Sequence, residues 1–168
     1  MYKDTTIEEL DKLMLNSWAA FHSYRKLGLK QRADFMREIA HQLQISEKEL
    51  IPIAIHETNL TEARLRGELK RTIFQLTTYA AACEKGNWLD VRIDTAIADK
   101  TPQKPDLRKM LIPLGPVAVF GAANFPFAYS TAGGDTACAL AAGCSVIVKS
   151  HPAHAETSEK VAEAIHEA

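Results

Sequence analysis

Apolar residues recur at helical spacing through the first half of the chain, then give way to short alternating and continuous runs. Ile7, Leu10, Met14, Trp18 and Phe21 define a stripe that predicts a helix to about Arg25, opened by a capping box in Thr6 and Glu9. Leu29, Ala33, Met36, Ala40 and Leu43 predict a second helix after Gly28, with Lys30, Arg32, Asp34, Arg37 and Glu38 mostly on its outer side. Ser46 and Glu49 have the capping-box spacing for a third helix, whose early turns contain Pro52, a residue that kinks or shortens helices. Leu65, Leu69, Ile73, Leu76 and Ala80 predict a longer fourth helix over about 61–85, with Gly86 as its C-cap.

From Trp88 the period changes. Residues 88–97 alternate Leu89, Val91 and Ile93 with Asp90, Arg92 and Asp94, the pattern of a half-buried strand. A polar loop with two prolines, 99–105, separates it from a second short strand at 107–112. The two read as an antiparallel ribbon outside the main sheet, with edges suited to a partner subunit. Two continuous apolar runs follow, Val117–Phe120 and 145–148, joined by a small-residue stretch at 129–142 long enough for a crossover helix. Strand, helix, strand over this length is a βαβ unit with a right-handed crossover and strands expected to be buried on both faces. A last helix from about Thr157 carries Val161 and Ile165 inward. The fold class is therefore α/β: a helical segment (1–87), a β-ribbon (88–112), then the βαβα start of a Rossmann-like parallel sheet (113–168).

Composition narrows the function. A formal net charge of −1 over 168 residues offers no basic surface for nucleic acid or an anionic membrane. The polar, acidic first residues do not form a secretory leader, and the longest apolar stretch, 137–148, is too short to span a bilayer. Three cysteines, an odd and sparse count, fit a reducing cytoplasm better than a disulfide framework.

In open α/β sheets ligands bind beyond the carboxyl ends of the strands, here Phe120, Gly121, Ala122, Ala123 and Asn124 after one strand, and Lys149, Ser150 and His151 after the other. The phosphate-binding fingerprint G-x-G-x-x-G is absent. Asn124 admits two readings: an N-cap with Pro126 in the first helical turn, or an amide donor to an oxygen that turns negative during reaction. Lys149 is either the charged residue where a strand meets water or a hydrogen-bond donor to a ribose or phosphate. His151, His154 and Cys144 lack the spacing of a metal site, so no metal is expected. The cysteines read as small buried hydrophobes. Asp135, after two glycines within the crossover, has no role evident from sequence.

Three stretches carry a resemblance: Pro113-Leu-Gly-Pro-Val-Ala-Val-Phe-Gly, Asn124-Phe-Pro, and Ala139-Leu-Ala-Ala-Gly-Cys-Ser-Val-Ile-Val-Lys149. Together they resemble the N-terminal part of the aldehyde dehydrogenase superfamily. Gly133-Gly-Asp-Thr, Lys149-Ser-His-Pro-Ala-His154 and Pro105-Asp-Leu-Arg108 look like the branch of NADP-preferring fatty-aldehyde and α-ketoglutarate (2,5-dioxopentanoate) semialdehyde dehydrogenases. The resemblance implies oxidation of a small aldehyde to an acid through a cysteine thioester, with Asn124 donating to the oxyanion and Lys149 binding the adenosine ribose. It also implies a homo-oligomer in the full-length protein, with the ribbon in the oligomerisation element. NAD-preferring members carry a Glu three residues after that Lys, where this chain has Pro152. Losing that carboxylate removes repulsion of a 2′-phosphate, so NADP is expected, with NAD possible. His151 is a candidate phosphate contact. The family's nucleophilic Cys and general-base Glu fall beyond position 168, so the chain reads as a truncated piece that is inactive alone. The alternative is a non-catalytic fragment that binds nucleotide or serves in assembly.

Overall fold

A computed structural model describes residues 2–168, ordered as four helices, a β-ribbon and a β-α-β-α segment. The helices are α1 (Ile7–Tyr24), α2 (Leu29–Ile45), α3 (Glu47–Thr58) and α4 (Glu62–Lys85). Strands β1 (Arg92–Asp94) and β2 (Leu107–Lys109) form the ribbon, followed by β3 (Val117–Phe120), α5 (Gly134–Ala142), β4 (Val146–Lys149) and α6 (Ala155–His166).

The capping box of α1 is present: the Glu9 amide donates to Thr6 Oγ1 at 3.2 Å and the Thr6 amide to Glu9 Oε2 at 2.9 Å. Gly86 ends α4 in the left-handed conformation (φ 69°), where a Cβ would be strained. The core lies between α2 and α4, with Ala33, Met36, Ile39 and Leu43 against Leu65, Leu69, Leu76 and Ala80, and with α5 and α6 closing its sides. α6 is capped from a distance. The Glu57 carboxylate, near the end of α3, accepts from the Glu156 and Thr157 amides at 2.9 and 2.8 Å and from Thr157 Oγ1 at 2.7 Å. The two amides are orphan donors of a helix N-terminus, and a carboxylate there also meets the positive end of the helix dipole.

Several sequence expectations are corrected. The stripe on α1 faces outward: Ile7 is 75% exposed and Leu10, Met14 and Trp18 about half, so the helix reaches the body of the molecule chiefly through Ser17, Phe21 and, at its end, Tyr24. Ser17 pairs with Ser145 at the entrance to β4, hydroxyl to hydroxyl at 3.0 Å and hydroxyl to the Ser17 carbonyl at 2.8 Å. Ser46 ends α2 in a helical conformation and gives no side-chain cap to α3, because the two helices follow without an extended residue between them. Arg32 is buried rather than outside: it donates to the Arg25 carbonyl at 2.8 Å and lies over the Tyr24 ring. The ribbon strands are shorter than predicted and wholly exposed. The crossover helix starts at Gly134, not at Tyr129, and of β3 only Val119 is fully buried. Among the described residues β3 and β4 pair only with each other, and their faces are less covered than the continuous apolar runs predicted: Ala118 and Phe120 are exposed and Val146, Ile147 and Val148 only half-buried. Among the described residues no helix is long and apolar enough to cross a membrane.

Candidate functional site

β3 and β4 are parallel, in a register from Val117 opposite Val146 to Phe120 opposite Lys149. That register brings the two strand exits to one edge, where the Gly121 amide donates to the Lys149 carbonyl at 3.0 Å. Gly121 permits the approach: a Cβ there would lie 3.2 Å from Ser130 Oγ and 3.3 Å from the His151 backbone nitrogen. The segments holding Gly121, Ala122, Ala123 and Asn124 and holding Lys149, His151 and Pro152 are thus neighbours.

Ala122 is fixed on both sides of its peptide. Its amide donates to the Tyr129 carbonyl at 2.9 Å, and its carbonyl lies 2.9 Å from His154 Nε2. A carbonyl only accepts, so Nε2 carries the proton, and in the neutral ring Nδ1 accepts from the Ser158 hydroxyl at 3.2 Å. His154 is completely buried, stacks on His151 at 5.7 Å, and acts as a strut between the start of α6 and the loop after β3. With both ring nitrogens engaged it has no electron pair to offer a metal, and among the described residues no three His, Cys, Asp or Glu side chains gather into a metal-binding group.

Asn124 sits in an exposed turn, and its backbone carbonyl accepts from Arg64 Nη2 at 2.7 Å. No helix begins there, so the N-cap reading falls; Gly133 is the N-cap of α5. Pro126, Phe127 and Ala128 then turn into the core, where Glu68 Oε1 accepts from the Phe127 and Ala128 amides at 2.8 and 2.9 Å. A Cβ on Gly133 would run into the Ala128 carbonyl, so the return of this loop to α5 requires glycine. Asp135 gains an account: it lies in the first turn of α5, where a carboxylate meets the positive helix end.

On the other exit Lys149 is exposed and His151 half-buried. His151 Nδ1 accepts from the Ala153 amide at 3.1 Å, so in the neutral ring Nε2 is the donor. Pro152 adds no carboxylate. An exposed ammonium, an imidazole donor and no adjoining acid form a donor set that fits a ribose carrying a phosphate. Of the thiols, Cys83 and Cys144 are buried as expected, but Cys138 is exposed on the outer side of α5, against the reading of all three as buried hydrophobes. Burial pushes the Cys83 thiol above its ordinary value, away from the thiolate a nucleophile needs.

The sequence assigns no role to Glu68, Arg64 or Glu57 and offers His154 only as a weak metal candidate. Glu68 had a signal: it is a charge set between Leu65 and Leu69 on the buried face of α4. Glu57 and Arg64 had none, since their partners lie far along the chain.

All of residues 1–168 match the model of the aldehyde dehydrogenase family. The chain belongs to that family. It is 45% identical over 169 residues to an alpha-ketoglutaric semialdehyde dehydrogenase of Acinetobacter baylyi, covering 100% of this chain and 32% of that protein. It is 50% identical over 150 residues to alpha-ketoglutaric semialdehyde dehydrogenase 2 of Azospirillum brasilense, covering 89% of this chain and 29% of the relative. The chain thus spans about a third of the length of the curated relatives it matches. Among solved structures it resembles a 3,6-anhydro-L-galactose dehydrogenase in complex with NAP (TM-score 0.84, 21% identity, 98% of this chain and 33% of that one). It also resembles a betaine aldehyde dehydrogenase from Staphylococcus aureus in complex with NAD+ (TM-score 0.83, 21% identity, 98% and 32%). At these identities the likeness establishes the fold, that of the N-terminal portion of an aldehyde dehydrogenase.

Proposed function

We propose that this chain supplies the N-terminal part of an NADP-using aldehyde dehydrogenase whose substrate is α-ketoglutarate semialdehyde. The observation that carries the reading is the strand register, with Phe120 opposite Lys149 and Gly121 bonded to the Lys149 carbonyl. It supports the reading by bringing the loop that carries Asn124 and the strand end that carries Lys149 to one sheet edge. The identity to alpha-ketoglutaric semialdehyde dehydrogenases supports the choice of aldehyde.

In this reading Asn124 donates its side-chain amide to the carbonyl oxygen as that oxygen becomes negative, a charge best stabilised by a donor already in place. Lys149 donates to the adenosine ribose, and His151 contributes Nε2–H toward a 2′-phosphate. Phe120, Gly121, Ala122 and Ala123 form the backbone floor between the two groups, and Pro152 keeps a carboxylate away from the phosphate. The nicotinamide cofactor, when bound, takes up the electrons released by the aldehyde. The nucleophilic thiolate and the general base come from residues outside these 168, so the segment alone turns over no aldehyde. Residues 88–112 belong to the oligomerisation element of a homo-oligomer, a role supported by Val91, Ile93 and Leu107 standing exposed on the ribbon.

The test is an assay of NADP reduction by α-ketoglutarate semialdehyde, made on the dehydrogenase assembled with this segment and compared with other aldehydes. Turnover with the semialdehyde and NADP supports the reading. Equal indifference to every aldehyde offered would reject it.

A further inference from the structure

The turn that carries Asn124 is gripped by one face of α4. Arg64 and Glu68 stand four residues apart on that helix, so their side chains project to the same side. Arg64 Nη2 donates to the Asn124 carbonyl at 2.7 Å, and its guanidinium lies 5.0 Å from the centre of the Phe125 ring. Glu68 Oε1 accepts from two successive amides, Phe127 and Ala128. Glu68 is only 6% exposed, and its Oε2 has no hydrogen-bond partner among the described residues. Burying a carboxylate with one oxygen unpaired is costly. What the charge provides is a pair of charge-assisted bonds, about twice as strong as neutral ones, at a single place in the loop.

That place is three and four residues beyond Asn124. Upstream, the same loop is tied to β4 and to His154 through Gly121 and Ala122, and the Phe125 amide reaches back across Asn124 to the Ala122 carbonyl at 3.3 Å. Arg64 adds a tie from the exposed side, at the Asn124 carbonyl itself.

We infer that Arg64 and Glu68 are positioning residues for Asn124, fixing the backbone at and just beyond it to a rigid helix so that its side-chain amide keeps one direction. The inference rests on the reading of Asn124 as the oxyanion donor. Neither residue touches a reacting atom; both act through the loop.

The test uses isotope-labelled protein of the present 168 residues and nuclear magnetic resonance. In Glu68→Gln the Phe127 and Ala128 amides should exchange with solvent about tenfold faster, the effect of weakening a hydrogen bond. The side-chain amide resonances of Asn124 should shift and broaden with them. Altered Phe127 and Ala128 amides beside unmoved Asn124 resonances would overturn the inference, leaving Glu68 a purely structural brace. Unaltered amides would overturn it too. Should Glu68→Gln fail to fold, Arg64→Gln, at an exposed position, must move the Asn124 resonances by itself, and unmoved resonances there refute the proposal. These readouts are independent of turnover. If Asn124→Ala proves harmless to catalysis while the resonances respond as expected, the oxyanion reading fails and the mechanical coupling stands.

Discussion

Asn124 and His154 lie close together along one loop network yet belong to opposite kinds of residue. Asn124 is exposed and linked to the protein through its backbone, so Asn124→Ala should change unfolding free energy by less than about 0.5 kcal/mol. His154 is buried and bonded through both ring nitrogens to Ala122 and Ser158. Replacing it with alanine empties a fully buried ring site and leaves the Ala122 carbonyl only the longer bond from the Phe125 amide, at 3.3 Å, which should cost about 2–4 kcal/mol, read as a lower urea midpoint. A midpoint that hardly moves would mean that water replaces the ring and that His154 is not a strut. At the cofactor side, Pro152→Glu should shift the assembled enzyme's selectivity from NADP toward NAD, because a carboxylate repels a 2′-phosphate and accepts from ribose hydroxyls. Unchanged selectivity would remove Pro152 from the account. The roles proposed for Asn124 and Lys149 come from the family resemblance, but the places of Lys149 at the end of β4 and of Asn124 in the loop after β3 were legible from the strand pattern. His154 was not, because a buried histidine and a metal-binding one look alike until their neighbours are known.

Among the elements, α6 depends most on a residue outside itself. Glu57 takes three hydrogen bonds at its N-terminus, and Glu57→Ala should destabilise the fold by about 1–2 kcal/mol, the usual cost of losing a helix cap. Hydrogen exchange at the Glu156 and Thr157 amides would locate the loss, and protection there equal to wild type would contradict it. Helices α1, α2 and α4 could be placed from the sequence because their apolar residues keep a helical period, whereas α3 rested on the capping-box spacing of Ser46 and Glu49 alone. Their packing was less legible. The stripe of α1 is as regular as that of α2, but periodicity records only which face is apolar, and most of that face points away from the body of this chain. In the same way Ser46 has the spacing of a capping box, yet the direct junction of α2 and α3 leaves no extended residue to act as one. Composition extends the crossover helix back to Tyr129 because 129–133 is rich in small and polar residues, while the geometry of that stretch is set by Glu68 and Gly133.

At the scale of the whole molecule, two protonated groups tie the core to pH. Burial pushes the Tyr24 hydroxyl above its ordinary value of 10.0 and the Cys83 thiol above 9.0. Tyr24 donates to the Leu140 carbonyl and Cys83 to the Ala141 carbonyl, so both link the helical half to the end of α5. Both pKa values are raised on folding. Their contribution is therefore intact below the unfolded values and is lost as pH climbs past about 9 and 10, where the unfolded chain gives up protons that the folded one keeps. Denaturant midpoints taken from pH 8 upward should fall, and Tyr24→Phe should flatten the fall above pH 10. An equally steep decline in that variant would show that Tyr24 is not a source of it.

The α/β class and the order of helices, ribbon and βαβ unit were legible because each rests on a local period. The parallel pairing that makes a site of two strand ends depended on recognising the unit as a whole, and the grip of α4 on the Asn124 loop required coordinates. The most direct measurement is turnover with α-ketoglutarate semialdehyde and NADP by the assembled dehydrogenase, comparing wild type with Asn124→Ala at equal melting temperature. Loss of one oxyanion donor predicts a fall in kcat of about 100-fold or more with the fold intact. Turnover retained per folded molecule would contradict the account.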